Sequence, residues 1–493
     1  MPVAAASLDS PVVVADSSAS SAALGTSQLF SSAPVVIVAD SDSWEAASYG
    51  AVLGVPVLLT GGAAELPAEV ADELKRLGTR TVLANGVPAQ LFEKDLDVHE
   101  LAAAAPALAS DLGLQLEYSA EPADTDAAIE GLGSKIYGSP AQAPLDSEEF
   151  TFSYLPAQRL SAAVVVTDAA HRAALGTAVA AGASVQLSPA DPRSSSAVIE
   201  AVAGADGVVG LFAEDNPDLS WQLATAHTGI QLPGGGQRVF DGKRYVALYG
   251  SPHTTTLGVL GEQGVAETVA RAEQHAQPYR EFTDDQVIPA LEIIVTVAAG
   301  GPGDDGNYSN EWAPESFIPL IEAAQEAGQY VVIDLQPGRA DFVSQAKAYE
   351  QLLAYPHVGL ALDPEWRLGP NDMPLTRIGH VEIAEVNEVV NYLADFTREH
   401  NLPQKMLILH QFQVQMLRDI DQLDQSRSEL AILIHVDGQG SQAAKQDTWR
   451  TLVNNAPNVT RWGWKNFYDE DVPMLDPAGT YQVEPLPDFV SYQ

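Results

Sequence analysis

From residue 245 onward, short runs of apolar residues recur along the chain, and nearly every run ends in a polar cluster. The runs are YVALY (245–249), LEIIVTV (291–297), YVVIDL (330–335), VGLAL (358–362), MLIL (406–409), LAILI (430–434) and TRWGW (460–464), with an eighth in the tail at 489–491. Short continuous runs of this kind suit strands buried on both faces. Stretches at 265–276, 316–327, 341–353, 384–400 and 442–453 lie between them and predict helices. Alternation of strand and helix implies a parallel sheet. Polar residues at successive strand ends favour a closed (β/α) barrel of the TIM type over an open doubly wound sheet.

The first half of the chain is rich in Ala, Val and Ser and also alternates. Strands are expected at 12–14, 35–39, 55–60 and 81–84, with helices at 17–30, 44–53 and 67–77, forming a βαβαβ unit over a parallel sheet. Pro67 in the first turn and Gly78 past the end mark the limits of the third helix. A weaker copy of strand, Ala-rich helix and strand follows at 162–211, and Gly234-Gly235-Gly236 reads as a turn or linker. The expected fold class is α/β, with Rossmann-like parallel αβ units at the N-terminus followed by a TIM-like barrel. The expected domains are 1–155, a degenerate second αβ repeat and linker at 156–240, and the barrel at 241–493.

Residues 35–86 resemble a type 2 cell-wall-binding repeat. The likeness rests on Pro56-Val57-Leu58-Leu59-Thr60 and on the helix from Leu66-Pro67 to Leu77-Gly78. Trp44-Glu45-Ala46-Ala47 stands where the family has a DALA sequence. The resemblance implies small Rossmann-like units that hold a surface protein on anionic wall polymers. It therefore implies a cell-wall polysaccharide or other glycan as partner, and an extracellular or cell-envelope location.

Composition narrows the partners. A formal charge of −41, from 66 acids against 25 bases, argues against nucleic acid or an anionic membrane as the main partner. The chain has no cysteine, so no disulfide or thiolate metal site holds it together. No apolar run reaches transmembrane length, and residues 1–10 lack the basic start and apolar core of a signal peptide, so an exported form would have lost its leader.

The strand ends carry the candidate chemistry. Tyr249 and His253 follow the first strand, Asp334 and Gln336 the third, Asp363, Glu365 and Trp366 the fourth, His410 and Gln411 the fifth, and His435 and Asp437 the sixth. The seventh ends in Trp464, Lys465, Asn466 and Tyr468, with Asp469, Glu470 and Asp471 beyond. As strand residues two apart, Asp363 and Glu365 would point to one side. A barrel mouth ringed by acids, imidazoles and aromatic rings suits carbohydrate chemistry, in which rings stack on sugar faces and a protonated acid donates to the leaving oxygen. Glu365, beside Trp366, is the expected general acid, and Asp363, Asp334 or Asp437 the second carboxylate. Tyr249, His253, Gln336, Trp366, His410, His435, Trp464, Lys465, Asn466 and Tyr468 are the expected substrate contacts. The barrel also resembles chitinase-like family 18 enzymes, through Asp363-Pro364-Glu365 at the end of the fourth strand and Trp464 on the seventh. Ala361 replaces the preceding acid of that family's pattern, and Pro364 stands where an aromatic is usual.

Three functions fit these residues: a wall-anchored glycosidase, a non-catalytic scaffold binding a glycan or protein through the same cleft, and a metal-dependent amidase or deacetylase. For the third, His253, Asp334, Asp363, His410, His435 and Asp437 are the available ligands, although no HxH or HExxH spacing supports them. The site is expected to work without a cofactor. The loop GGPGDDGNYSNEW (300–312) is a binding-loop candidate, and Asp304, Asp305 and Asn307 partly match a calcium loop.

Overall fold

The computed structural model describes residues 3–4, 11–15, 18–146, 150 and 159–493. Contacts divide the chain into two compact units, Met1–Gly229 and Ile230–Gln493. Among the described residues no helix is long and apolar enough to cross a membrane.

The first unit contains two four-stranded parallel sheets. One runs in the order Val57–Leu59, Val35–Ala39, Thr81–Asn85, Asp97–Glu100, and the other Ser184–Leu187, Ala163–Thr167, Gly207–Phe212, Val12–Ala15. The strand expected to open the first βαβαβ unit thus belongs to the other sheet. Its short valine run fits the interior of either, and only the fold selects the partner. The helices Trp44–Leu53 and Arg172–Ala180 pack closely, since a Cβ on Gly176 would stand 2.4 Å from the Ala47 carbonyl oxygen. Asp42 accepts hydrogen bonds from the backbone N–H groups of Arg172 (3.0 Å) and Ala173 (2.7 Å). An acid ahead of one helix therefore caps the N-terminus of the other. These contacts unite the two αβ halves in place of a division near 155.

The second unit is a closed barrel of eight parallel strands: β1 (Lys243–Gly250), β2 (Gln286–Ala298), β3 (Tyr330–Leu335), β4 (Val358–Leu362), β5 (Lys405–Gln411), β6 (Leu430–Val436), β7 (Trp462–Asn466) and β8 (Phe489–Tyr492). Each strand pairs with the next, and β8 returns to β1. The tail run expected as an eighth strand is the one that closes the ring. Helices Val265–Ala276, Ile318–Glu326, Ile383–Glu399 and Gln442–Asn455 lie where the amphipathic stretches predict them, and the stretch at 341–353 divides into Phe342–Ala348 and Glu350–Leu353.

Residues 230–240 belong to the barrel rather than to a linker domain. Gly234, Gly235 and Gly236 all take positive φ, a turn that suits glycine because it has no Cβ. Beyond the turn, Val239 and Phe240 join Leu232 in an apolar cluster with the barrel interior, and the Tyr245 hydroxyl donates to the Val239 carbonyl at 2.7 Å. This segment closes the N-terminal end of the barrel.

Strand alternation sorts the side chains into two shells. Outward residues such as Val246, Val331, Ile333, Leu360, Leu407 and Ile434 pack with the surrounding helices. Inward residues near the strand starts, including Ala247, Ala290, Val332, Ala361, Ile408 and Leu433, form a separate apolar plug. The plug leaves only the C-terminal mouth for polar chemistry.

Candidate functional site

One step up each strand from the plug, the interior changes character. Tyr249, Glu292, Asp334, Asp363, His410, His435, Lys465 and Ser491 are all buried there. Gly463 on β7 makes room for one of them, because a Cβ at that position would lie 2.7 Å from Cδ2 of His435.

His410 stands at the centre. Its Nδ1 donates to Asp437 at 3.0 Å and its Nε2 contacts Glu292 Oε1 at 2.8 Å, with Asp334 Oδ1 3.9 Å away. Burial opposes charge on the ring, but Glu292 and Asp437 outweigh it and hold the imidazole pKa well above its usual value. The same contacts work in the opposite sense on the acids. Burial would raise Glu292, yet the charges of His410 and His435 and the hydrogen bond with His410 hold it low. His435 shares a hydrogen bond with Ser491 Oγ at 3.2 Å, and its Nδ1 lies 3.8 Å from Glu292 Oε2. Burial lowers its pKa despite Glu292. Asp334 accepts from the Tyr249 hydroxyl at 2.9 Å, and Lys465 Nζ sits over the Tyr249 ring, 3.4 Å from its centre.

Above this layer opens a cavity of about 350 Å³, lined by Asp363, Glu365, Trp366, Phe412, Asp437 and Phe467, among others. Tyr249, Gln336 and Lys465 reach it from below. Burial, helped by the charge of Asp437 and opposed by Lys465 and His410, pushes the Glu365 carboxyl up to about 7. Asp363 is raised well above its usual value by burial and by Asp334, and Asp334 is pushed up to about 6, chiefly by burial against the pull of His410. Asp437 moves the other way: burial would raise it, but the hydrogen bond from His410 and that ring's charge hold it low. The mouth thus pairs a carboxyl protonated near neutral pH with a neighbouring carboxylate that stays ionised.

Several expected contacts lie elsewhere. Asp363 and Glu365 do not share a strand, because β4 stops at Leu362. Asp363 instead caps the 3-10 turn Pro364–Trp366, accepting from the Glu365 N–H at 3.1 Å. Proline at 364 cannot donate to a strand ladder, and its fixed φ favours such a turn. Trp464 is not a sugar platform: it is 1% exposed, packs on Trp449 outside the barrel and donates its indole N–H to Asn466 Oδ1 at 2.9 Å. Asn466 shares that outward parity, so of the seventh-strand set only Lys465 points inward. Tyr468 is 40% exposed and bonds His275, and His253 stacks on Trp312 with ring centres 4.4 Å apart. Asp471 is tied to Lys445 at 2.5 Å. Arg367 pairs with Glu385 at 2.9 Å, away from the mouth acids. In the loop at 300–312, Asp305 and Asn307 accept backbone N–H groups of Asn307 and Ser309, and Ser309–Glu311 pairs antiparallel with the end of β2.

Glu292 is the residue that strand-end reasoning misses. It lies inside the run LEIIVTV, and a lone carboxylate in the middle of an apolar strand is itself a signal, since burial without a partner is costly. Phe412 and Phe467 supply lining rings that the sequence reading assigned to Trp464.

No protein-family model matches the chain, and no curated protein sequence matches it. Among solved structures the chain is similar to Cwp6 from Clostridium difficile, at 12% sequence identity and a TM-score of 0.31, over 68% of this chain and 66% of that one. The match thus spans just under two thirds of that protein's length.

Proposed function

We propose that the barrel is a glycan-cleaving hydrolase, with Glu365 as general acid and Asp437 as the ionised second carboxylate. The observation that carries this reading is one cavity lined by both acids and by apolar rings, in which burial raises Glu365 to about 7 while the hydrogen bond from His410 holds Asp437 low. Environments that push two carboxyl groups apart assign acid and base roles in glycoside hydrolysis. Trp366, Phe412 and Phe467 offer apolar faces beside them for a sugar ring. His410, held by Asp437 on one nitrogen and Glu292 on the other, fixes Asp437 in place. The resemblance of residues 35–86 to wall-binding repeats supports a polymer of the cell envelope as substrate and a surface location for the protein.

The test is release of reducing ends from cell-wall polysaccharide by the full chain and by Glu365→Gln. The substitution should lower the rate about 10²- to 10⁴-fold, as removal of a general acid does, while the unfolding midpoint at pH 5 stays near that of the parent. Sugar binding without turnover by the parent chain would instead make the mouth a glycan-binding cleft.

A further inference from the structure

We propose that Glu292, His410 and His435 form a site for a divalent transition-metal ion beneath the mouth. One atom from each of the three can be chosen so that all lie within 4.8 Å of one another, and all three side chains are fully buried. The individual separations are 2.8 Å from Glu292 Oε1 to His410 Nε2 and 3.8 Å from Glu292 Oε2 to His435 Nδ1. Ligand atoms around a tetrahedral ion at ~2.1 Å stand roughly 3.4 Å apart, so small side-chain shifts would close these atoms on one ion.

The surroundings supply a second and independent observation. Among the described residues, Glu292 Oε2, His435 Nδ1 and Asp334 Oδ1 are buried with no hydrogen-bond partner. Such atoms are costly to leave unsatisfied, and these three converge on the same space around His410 Nε2. Each imidazole is also anchored on its other nitrogen, His410 Nδ1 by Asp437 and His435 Nε2 by Ser491. That is the outer support that metal-binding histidines ordinarily have, since it fixes ring orientation and tautomer. Two imidazoles and a carboxylate suit zinc, cobalt or a similar ion better than calcium or magnesium, which prefer all-oxygen sets.

The site stands independently of the hydrolase reading, because metal binding is read without turnover. The full chain, stripped with a chelator and dialysed, is titrated with Co²⁺ and followed by its visible absorption, with Zn²⁺ added in competition. The expected result is about one equivalent of Co²⁺ with the intense spectrum of a low-coordinate ion, displaced by Zn²⁺. Glu292→Gln and His435→Gln should each weaken binding by at least roughly 100-fold, and Asp437→Asn, which loosens His410, by roughly 10- to 100-fold. Asp469→Asn, an exposed acid, should leave it unchanged. Should a buried variant fail to fold, X-ray absorption on the parent chain decides instead: scattering from two imidazoles supports the site. An ion surrounded by oxygen alone, an absence of the low-coordinate spectrum, or a spectrum indifferent to both Glu292→Gln and His435→Gln in folded protein would overturn it.

Discussion

The same eight strands build two interiors of opposite character, one residue pair apart. Near their starts they present Ala247, Ala290, Val332, Ala361, Ile408 and Leu433 to the barrel axis, and two residues further on Tyr249, Glu292, Asp334, Asp363, His410 and His435. The lower layer gains from excluding water and needs no partners. The upper layer holds polar groups that meet one another, as His410 meets Glu292 and Asp437, while burial raises the Asp363 carboxyl well above its usual value. The plug thereby gives the upper layer an apolar floor. Apolar packing and polar networks occupy successive inward steps of the same strands.

Moving an acid one step down should break this division most severely. Ala361→Asp places a second carboxyl beside the buried Asp334 and against Ile408, its partners across the sheet, and should cost on the order of 3 kcal/mol or more, read as a loss in the urea midpoint.

A smaller effect distinguishes the layers by pH. Glu365 at about 7 and Asp334 at about 6 both titrate above the usual carboxyl range near 4. A group whose native pKa is raised binds more protons folded than unfolded, so its contribution is present at low pH and lost as pH rises through the native value. Stability should therefore fall between pH 5 and pH 8, by an amount of order 2 kcal/mol after solvent screening, and Glu365→Gln should flatten part of that slope. Denaturant midpoints across the range measure it, and a flat profile would contradict the protonation pattern of the mouth.

The mildest test stays in the plug. Ile408→Val should cost about 1 kcal/mol for the lost methylene and leave turnover per folded molecule unchanged. A change in rate would show that the floor tunes the chemistry above it.

Sequence alone determined the αβ alternation in both halves, all eight barrel strands including the tail, and the presence of Asp363, Glu365, His410, His435 and Asp437 where strands leave the core. Those features are local: an apolar run, its length and its first polar residue suffice to read them. What the sequence left open is set by register and parity. Trp464 and Lys465 are neighbours in the chain, yet one packs against helices and the other enters the mouth. Pro364 turns Asp363 and Glu365 out of the strand that would have aligned them. Glu292, hidden in an apolar run, meets His410 and His435 only because pairing between strands brings all three to one height in the barrel. The valines at 12–14 likewise join a sheet far along the chain. Side-chain alternation is a property of one strand, whereas the height of each residue in a closed barrel depends on the stagger of every strand around it. Tertiary structure alone decided which acids meet.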